Sequence, residues 1–181
     1  MATNFSEIIP RPDLLETIHI SVQKHQGAKR QIDVQMNLPY AIEQVWQLIT
    51  NYNNLADLIP NLTRCRQLNH TETSKYLELI GSCRILNVWF SMRLVLEAIE
   101  LPPYEIKTQL IEGDLRSYWG HWQLEPQMDG STVLSYTAEI VPKPGIPVAL
   151  LERQLQDLLP VNFLAIRQHL DRIHSSNSLV T

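Results

Sequence analysis

Cysteine is scarce in this chain: Cys65 and Cys83 are the only two among 181 residues. Two thiols do not make a disulfide framework. Neither belongs to a CxxC pair or has a histidine at ligand spacing, so redox-motif and zinc-cluster chemistry are excluded, and both read as small buried hydrophobes inside strands. Glycine is thin at six residues, and phosphate loops, GxSxG and HExxH are all missing, which removes the common nucleotide, serine-nucleophile and zinc-protease readings. Positive charge is not in excess: 15 Lys and Arg against 19 Asp and Glu leave a net charge of -4, too little for a broad nucleic-acid footprint. Arg64 and Arg66 share a strand face and form at most a weak patch. The six histidines are scattered; only His169 and His174 lie near each other, five apart, and no metal site is expected. No apolar run approaches the roughly 20 residues of a membrane-spanning helix. The first residues carry Glu7 and Asp13 without a continuous apolar core, so no signal peptide is read there and a cytoplasmic protein is expected.

What is present is an ordinary globular composition, 44% hydrophobic and 19% charged, long enough to bury a full core in one domain. The informative stretch is Gln31 to Leu68. Ile32, Val34, Met36 and Leu38 alternate with Gln31, Asp33, Gln35 and Asn37, the period of two of a half-buried strand. At Leu38-Pro39 the period changes to about 3.6, with Ile42, Val45, Trp46 and Ile49 on one helical face. A second short helix through Leu55, Leu58 and Ile59 is stopped by Pro60-Asn61.

Strands surround this pair. Leu15 to Lys24 places Ile18, Ile20 and Val22 on one face and turns at Gln26-Gly27-Ala28 into Gln31 to Leu38. After the helices come Leu62 to Leu68, Ser74 to Leu86, and Asn87 to Leu101, the clearest of all, with Val88, Phe90, Met92, Leu94, Leu96 and Ala98 on one face. So long a strand twists or bends strongly. Tyr104 to Ile111, Arg116 to Glu125 and Ser131 to Val141 come next, with hairpin signals at Gly113-Asp114 and Asp129-Gly130. That is six consecutive antiparallel strands at meander spacing.

Pro142 to Pro147 makes a stiff corner, and Pro147 suits the first turn of a helix that runs to about His174. Its apolar stripe is Leu151, Leu155, Leu159, Phe163, Ile166, Leu170 and Ile173, and Pro160 inside it removes one backbone hydrogen bond. The expected organisation is an arm over 1–13, one domain over 14–174 and a frayed tail over 175–181. The fold class is α+β: a helix-grip fold in which a curved antiparallel sheet wraps around a long C-terminal helix, with two short helices after the first core strand.

Four segments carry a family likeness: Leu38-Pro39 with Val45-Trp46; Thr50-Asn51-Tyr52 through Leu55 to Leu62; Glu112-Gly113-Asp114 with Gly120-His121-Trp122; and Pro147-Val148 through Leu151-Glu152-Arg153. In order and spacing they resemble the START/Bet v1-like (SRPBCC) superfamily. Within it the chain resembles the polyketide cyclase/dehydrase and coenzyme Q-binding Coq10-type branch, and most of all a "cyclase/dehydrase" group of photosynthetic bacteria and plastids. The likeness spans about residues 30–173. It departs at Asn51, where the group has Asp, at Leu115, where it has an aromatic, and at His121, where it has Ser. The resemblance implies a hydrophobic ligand, with an isoprenoid quinone or another lipid the first expectation, but the fold also hosts true cyclases and does not select an activity.

The candidate lining is Leu79, Val88, Phe90, Met92, Leu94, Tyr118, Trp122 and Tyr136 from the strands, with Leu155, Leu159 and Phe163 from the long helix; Leu58 and Ile59 would guard the mouth. The two tyrosine hydroxyls are suited to orienting a quinone or carboxylate head group. The bland alternative is that all of these are plain core. A dry void of even about 300 Å³ would cost on the order of 7 kcal/mol, comparable to a whole domain's roughly 5–15 kcal/mol, so an apolar cavity must be filled, wet or collapsed.

Two other uses of the same surface stay open. An enzyme needs an acid or base in the pocket, and the candidates are Glu78, Arg93, Asp114, His121 and the tyrosines Tyr118 and Tyr136. Glu78, Arg93 and His121 fall on polar strand faces and Asp114 in a turn, where a solvated outer face accounts for them, and no catalytic residue and no cofactor is proposed. An assembly factor would use Leu55 to Ile59 and Ile146 to Leu151 as a docking patch. The expected partner is a hydrophobic small molecule, with transient membrane contact allowed, no nucleic acid and no transmembrane segment.

Overall fold

The computed structural model describes residues 18–85 and 88–178 and, for all of them but 83–85, 88 and 176–178, their side chains. Eight strands form one antiparallel sheet: β1 (Ile18–Lys24), β2 (Arg30–Leu38), β3 (Leu62–His70), β4 (Lys75–Ile85), β5 (Val88–Leu101), β6 (Glu105–Gly113), β7 (Leu115–Pro126) and β8 (Thr132–Pro142). Between β2 and β3 lie α1 (Ile42–Ile49), a 3₁₀ turn (Tyr52–Asn54) and α2 (Leu55–Leu58); α3 (Val148–Ser178) comes after β8. The order across the sheet is β1-β2-β8-β7-β6-β5-β4-β3. The meander of β3 to β8 is thus completed by its last strand pairing with β2, which binds the two ends of the chain into one sheet.

Alternation determines which face is inside. Along β8 every second residue from Thr132 to Pro142 is buried, and opposite it Ile32, Val34, Met36 and Leu38 of β2 are at most 2% exposed. Register pairs Val34 with Tyr136 and Tyr136 with Trp122, so the inner faces of β2, β8 and β7 are continuous. Onto them α3 lays Leu159, Phe163, Ile166 and Leu170, all buried. α1 buries Ile42, Val45 and Ile49. The Gln44 side chain accepts a hydrogen bond from the Ala41 backbone at its start, and Thr50 returns its hydroxyl to the Trp46 carbonyl at its end.

Both halves of α3 are tied to the sheet side. Arg30, buried at the start of β2, pairs with Glu152 and donates to the Gly27 and Lys29 carbonyls. Nineteen residues on, about 28 Å along the axis, Asp171 accepts from Tyr40 and from Arg167. The Tyr40 carbonyl is itself held by the fully buried Thr132 hydroxyl at 2.7 Å.

Several expectations are corrected. The helix does not end near His174 but continues to Ser178, through Pro160 without a break. Ile173, placed on its apolar stripe, is 43% exposed, whereas Leu170 one turn earlier is buried. Glu78 lies on the outer face as expected but is not solvated: Arg66 at 2.7 Å and Arg93 at 2.8 Å cover its carboxylate, which is 6% exposed. Gly113-Asp114 reverses the chain without making a tight hairpin. The β6–β7 ladder runs only from Glu105↔Gln123 to Gln109↔Trp119. Beyond it β6 stays with β5, as far as Leu94↔Gly113, and β7 stays with β8. Gly113 makes that possible. Its φ is +149°, and a Cβ there would stand 2.4 Å from the Arg93 carbonyl oxygen. The backbone contact continues through Asp114, whose N–H donates to that carbonyl and whose carboxylate accepts from the Arg93 N–H. Residues 1–17, 86–87 and 179–181, and with them the expected arm and part of the tail, lie outside the described residues.

Candidate functional site

The inner face of the sheet is sealed at one end and uncovered at the other. Along β5, Ala98 is 0% and Leu96 4% exposed, Leu94 and Met92 are half-buried, and Phe90 is 46% exposed. The cover given by the helices therefore runs out toward the β4–β5 hairpin, where Trp89, on the other face, is 64% exposed. At the sealed end Tyr52 donates to Glu100 at 2.6 Å and Lys75 bonds the same carboxylate at 2.7 Å while lying over the Tyr52 ring. Burial and the Glu100 carboxylate push the Tyr52 hydroxyl far above the usual phenol range.

Between these ends lies an aromatic and hydroxyl cluster. Trp122 packs on Tyr136 with centroids 4.3 Å apart and stacks on Phe163 of α3 at 5.7 Å. Behind the rings the Tyr118 and Tyr136 hydroxyls are hydrogen-bonded to each other at 2.9 Å. The buried Thr108 hydroxyl lies 3.3 Å from the Tyr118 oxygen and 3.2 Å from the Gly120 carbonyl. Tyr118 can fold back over its own strand because residue 120 has no side chain: a Cβ there would be 2.4 Å from the Tyr118 oxygen and 2.6 Å from Thr108 Oγ1.

Burial raises both tyrosines above the phenol range, Tyr136 well above it, so both stay protonated at neutral pH. Thr108 has one hydrogen for two acceptors. When it donates to Tyr118, the tyrosine hydrogens run onward and leave the Tyr136 hydroxyl as a donor. When it donates to the Gly120 carbonyl, the chain can reverse and offer the Tyr136 oxygen as acceptor. Three neutral hydroxyls thus serve either polarity.

Of the residues expected to line the site, Leu58, Tyr136, Leu159 and Phe163 are buried in one apolar cluster, against which Ile59, Leu79, Met92, Leu94, Tyr118, Trp122 and Leu155 pack half-buried. Phe90 is on the expected face but stands at the uncovered end rather than in the interior; the Val88 side chain lies outside those described. His121 is on the outer face, bonded to Glu105 at 3.1 Å, and Asp114 is spent on the Arg93 backbone. Cys65 is buried, its thiol pushed up to about 11, while the Cys83 side chain lies outside those described. Among the described residues no group of three or more metal-ligating side chains occurs.

Thr108 was missed by sequence reasoning, although a hydroxyl two places after the apolar Ile106 in a strand was a usable signal. A separate depression of about 620 Å³ on β1, β2 and β8 involves Ser21, Asp33, Gln35, Ser135 and Thr137. It is open to solvent and its polar groups bond one another, as in Thr137 to Asp33 at 3.1 Å, so it is not taken as the site.

A family described as polyketide cyclase/dehydrase and lipid transport matches residues 38–166. The chain belongs to this family. Solved structures with the same fold include a STAR-related lipid transfer protein from Xanthomonas axonopodis (18% identity, TM-score 0.71, covering 86% of this chain and 94% of that one). The Zhui aromatase/cyclase from Streptomyces sp. R1128 is similar at 14% identity and TM-score 0.69, over 80% and 94% of the two chains. A START superfamily protein from Mycobacterium smegmatis is similar at 13% identity and TM-score 0.65, over 79% and 98%. No curated protein sequence matches the chain. At these identities the likeness establishes the helix-grip START/Bet v1 architecture, and the family sets a choice between hydrophobic-ligand binding and cyclase-type chemistry.

Proposed function

We propose that this protein binds and carries a hydrophobic small molecule between α3 and the inner face of its sheet, with an isoprenoid quinone or another lipid as the first candidate class. The observation that carries this reading is the inner face itself: apolar from Leu79 through Phe163, with neutral hydroxyls at its centre. Of the acid and base candidates considered for a cyclase, Glu78, Arg93 and His121 are engaged on the outer face and Asp114 on the Arg93 backbone. Burial keeps Tyr118 and Tyr136, the remaining candidates considered for a cyclase, protonated, which is poor general-base chemistry near pH 7.

Phe90 and Trp89 at the uncovered end suit the entry of an apolar guest from a membrane or another apolar donor surface. The test is a fluorescence titration of the purified protein with a short-chain isoprenoid benzoquinone. Saturable quenching that weakens about tenfold or more in Phe163→Ala, with the fold intact by circular dichroism, is expected, because that ring stacks on Trp122. Linear, non-saturable quenching in both proteins would count against the reading.

A further inference from the structure

Two cations that border the inner side of the sheet are paired. Arg30 is held by Glu152 at one end, and Lys75 by Glu100 at the other. A carboxylate or phosphate drawn between α3 and the sheet would have to break one of these pairs to gain either of these cations, and a buried unpaired anion is strongly disfavoured.

Among the described side chains of the helix, by contrast, one neutral polar atom is left over. The side-chain oxygen Oδ1 of Asn162 is buried and has no hydrogen-bond partner. It lies seven residues after Leu155 and eleven after Leu151, which at 100° per residue puts all three within about 20° of one direction. Leu151 and Leu155 pack against the core cluster, and Asn162, half-buried as a residue, shares their helical direction and lies between the buried Leu159 and Phe163 along the chain. His169 continues the same line seven residues on, and burial favours its neutral form. Buried amide oxygens in folded proteins are normally satisfied, and one that is not calls for an absent partner. The other such atom among the described residues, Asn61 Oδ1, sits where α2 turns into β3 and not on the helix.

We infer that Asn162 is a ligand-binding residue, its side-chain oxygen accepting a hydrogen bond from an uncharged hydroxyl or N–H group of the bound hydrophobic molecule. This rests on the proposed binding reading and narrows it: the guest is an amphiphile with a neutral donor, not a fatty-acid anion or a phospholipid head. The Tyr118–Tyr136–Thr108 hydroxyls remain for a second polar group.

The test uses three probes of one chain length, decan-1-ol, its methyl ether and decanoate, titrated calorimetrically at pH 8 into the full chain and into Asn162→Leu and Asn162→Ala. The wild-type protein should bind the alcohol about five- to tenfold tighter than the ether, the worth of one hydrogen bond, and decanoate more weakly than the alcohol. Both variants should lose the alcohol's advantage while keeping ether affinity within about twofold of wild type on the same argument. Removing an unsatisfied polar atom should also raise the Tm of ligand-free Asn162→Leu by about 2–4 °C, whereas an asparagine serving only the fold would lower it. Equal alcohol and ether affinities, an alcohol preference that survives in both variants, or tightest binding of decanoate each overturns this inference while leaving a hydrophobic site standing. Failure of all three probes to bind overturns the site as well.

Discussion

Replacing Gly120 by alanine should disrupt the centre of the site from a position that no ligand need touch. The added Cβ would be 2.4 Å from the Tyr118 oxygen, 2.9 Å from its ring carbon Cζ and 2.6 Å from Thr108 Oγ1. None of these is a tolerable separation, so the Tyr118 ring and the Thr108 hydroxyl must both move. Moving them breaks the 2.9 Å bond to Tyr136 and leaves buried hydroxyls unpaired, at about 1–3 kcal/mol for the unsatisfied group. Overpacking adds about 1–3 kcal/mol. The expected destabilisation is therefore about 2–6 kcal/mol, read by urea unfolding at pH 7. Tyr118→Phe supplies the control. It removes the closest atom and the hydrogen bond together, so Gly120→Ala and Tyr118→Phe should be clearly less than additive, by about 1 kcal/mol or more. A cost below about 0.5 kcal/mol for Gly120→Ala, the range of an inert surface change, or full additivity of the pair, would refute the packing argument.

Three further outcomes are expected. Tyr40, Tyr52, Tyr118 and Tyr136 are all raised from 10.0, Tyr40 to about 12. The stability they contribute is complete below pH 10 and is lost as pH rises through their folded values, so absorbance at 295 nm should show these phenols ionising together with loss of near-UV circular dichroism; ionisation at pH 10 with the fold intact would be inconsistent with their burial. On the acid side, the Arg30 guanidinium beside Glu152 holds its carboxyl below 4.5. That contribution is present above 4.5 and disappears as pH falls through the depressed value, so Glu152→Gln should flatten the acid limb of the stability profile, and an unchanged limb would remove the Arg30 pair from the account. Finally, replacing both Trp89 and Phe90 by serine should reduce flotation with neutral phosphatidylcholine vesicles several-fold while leaving Tm within a few degrees; unchanged flotation would place membrane contact elsewhere.

The sequence was most legible where side-chain period alone decides. Ile32 to Leu38 and Leu134 to Ile140 could be assigned to an inner face because strands alternate strictly, and the helical stripe from Leu151 to Leu170 emerged from its spacing. Period says which face a residue is on but not what covers that face, which is why Phe90 was assigned correctly to the inner side yet proved exposed. Glu78 shows the converse: a carboxylate on an outer face is buried because two arginines, one on each neighbouring strand, reach across it. Pairing of β2 with β8 is a contact between residues about a hundred positions apart, which no local pattern encodes. Gly113 signalled a turn, but its use depends on the close approach of β5, a tertiary fact. Thr108 and Asn162 are single polar residues inside apolar patterns, a small signal that becomes informative only once burial is known.

The central claim, an apolar guest held between α3 and the sheet, is tested most directly by native mass spectrometry of the purified protein, with the bound material identified in a solvent extract. A stoichiometric adduct that is uncharged and predominantly apolar, and that is lost in Phe163→Ala, is expected. A bare protein mass that stays unchanged after incubation with the short-chain isoprenoid benzoquinone and with decan-1-ol would contradict it.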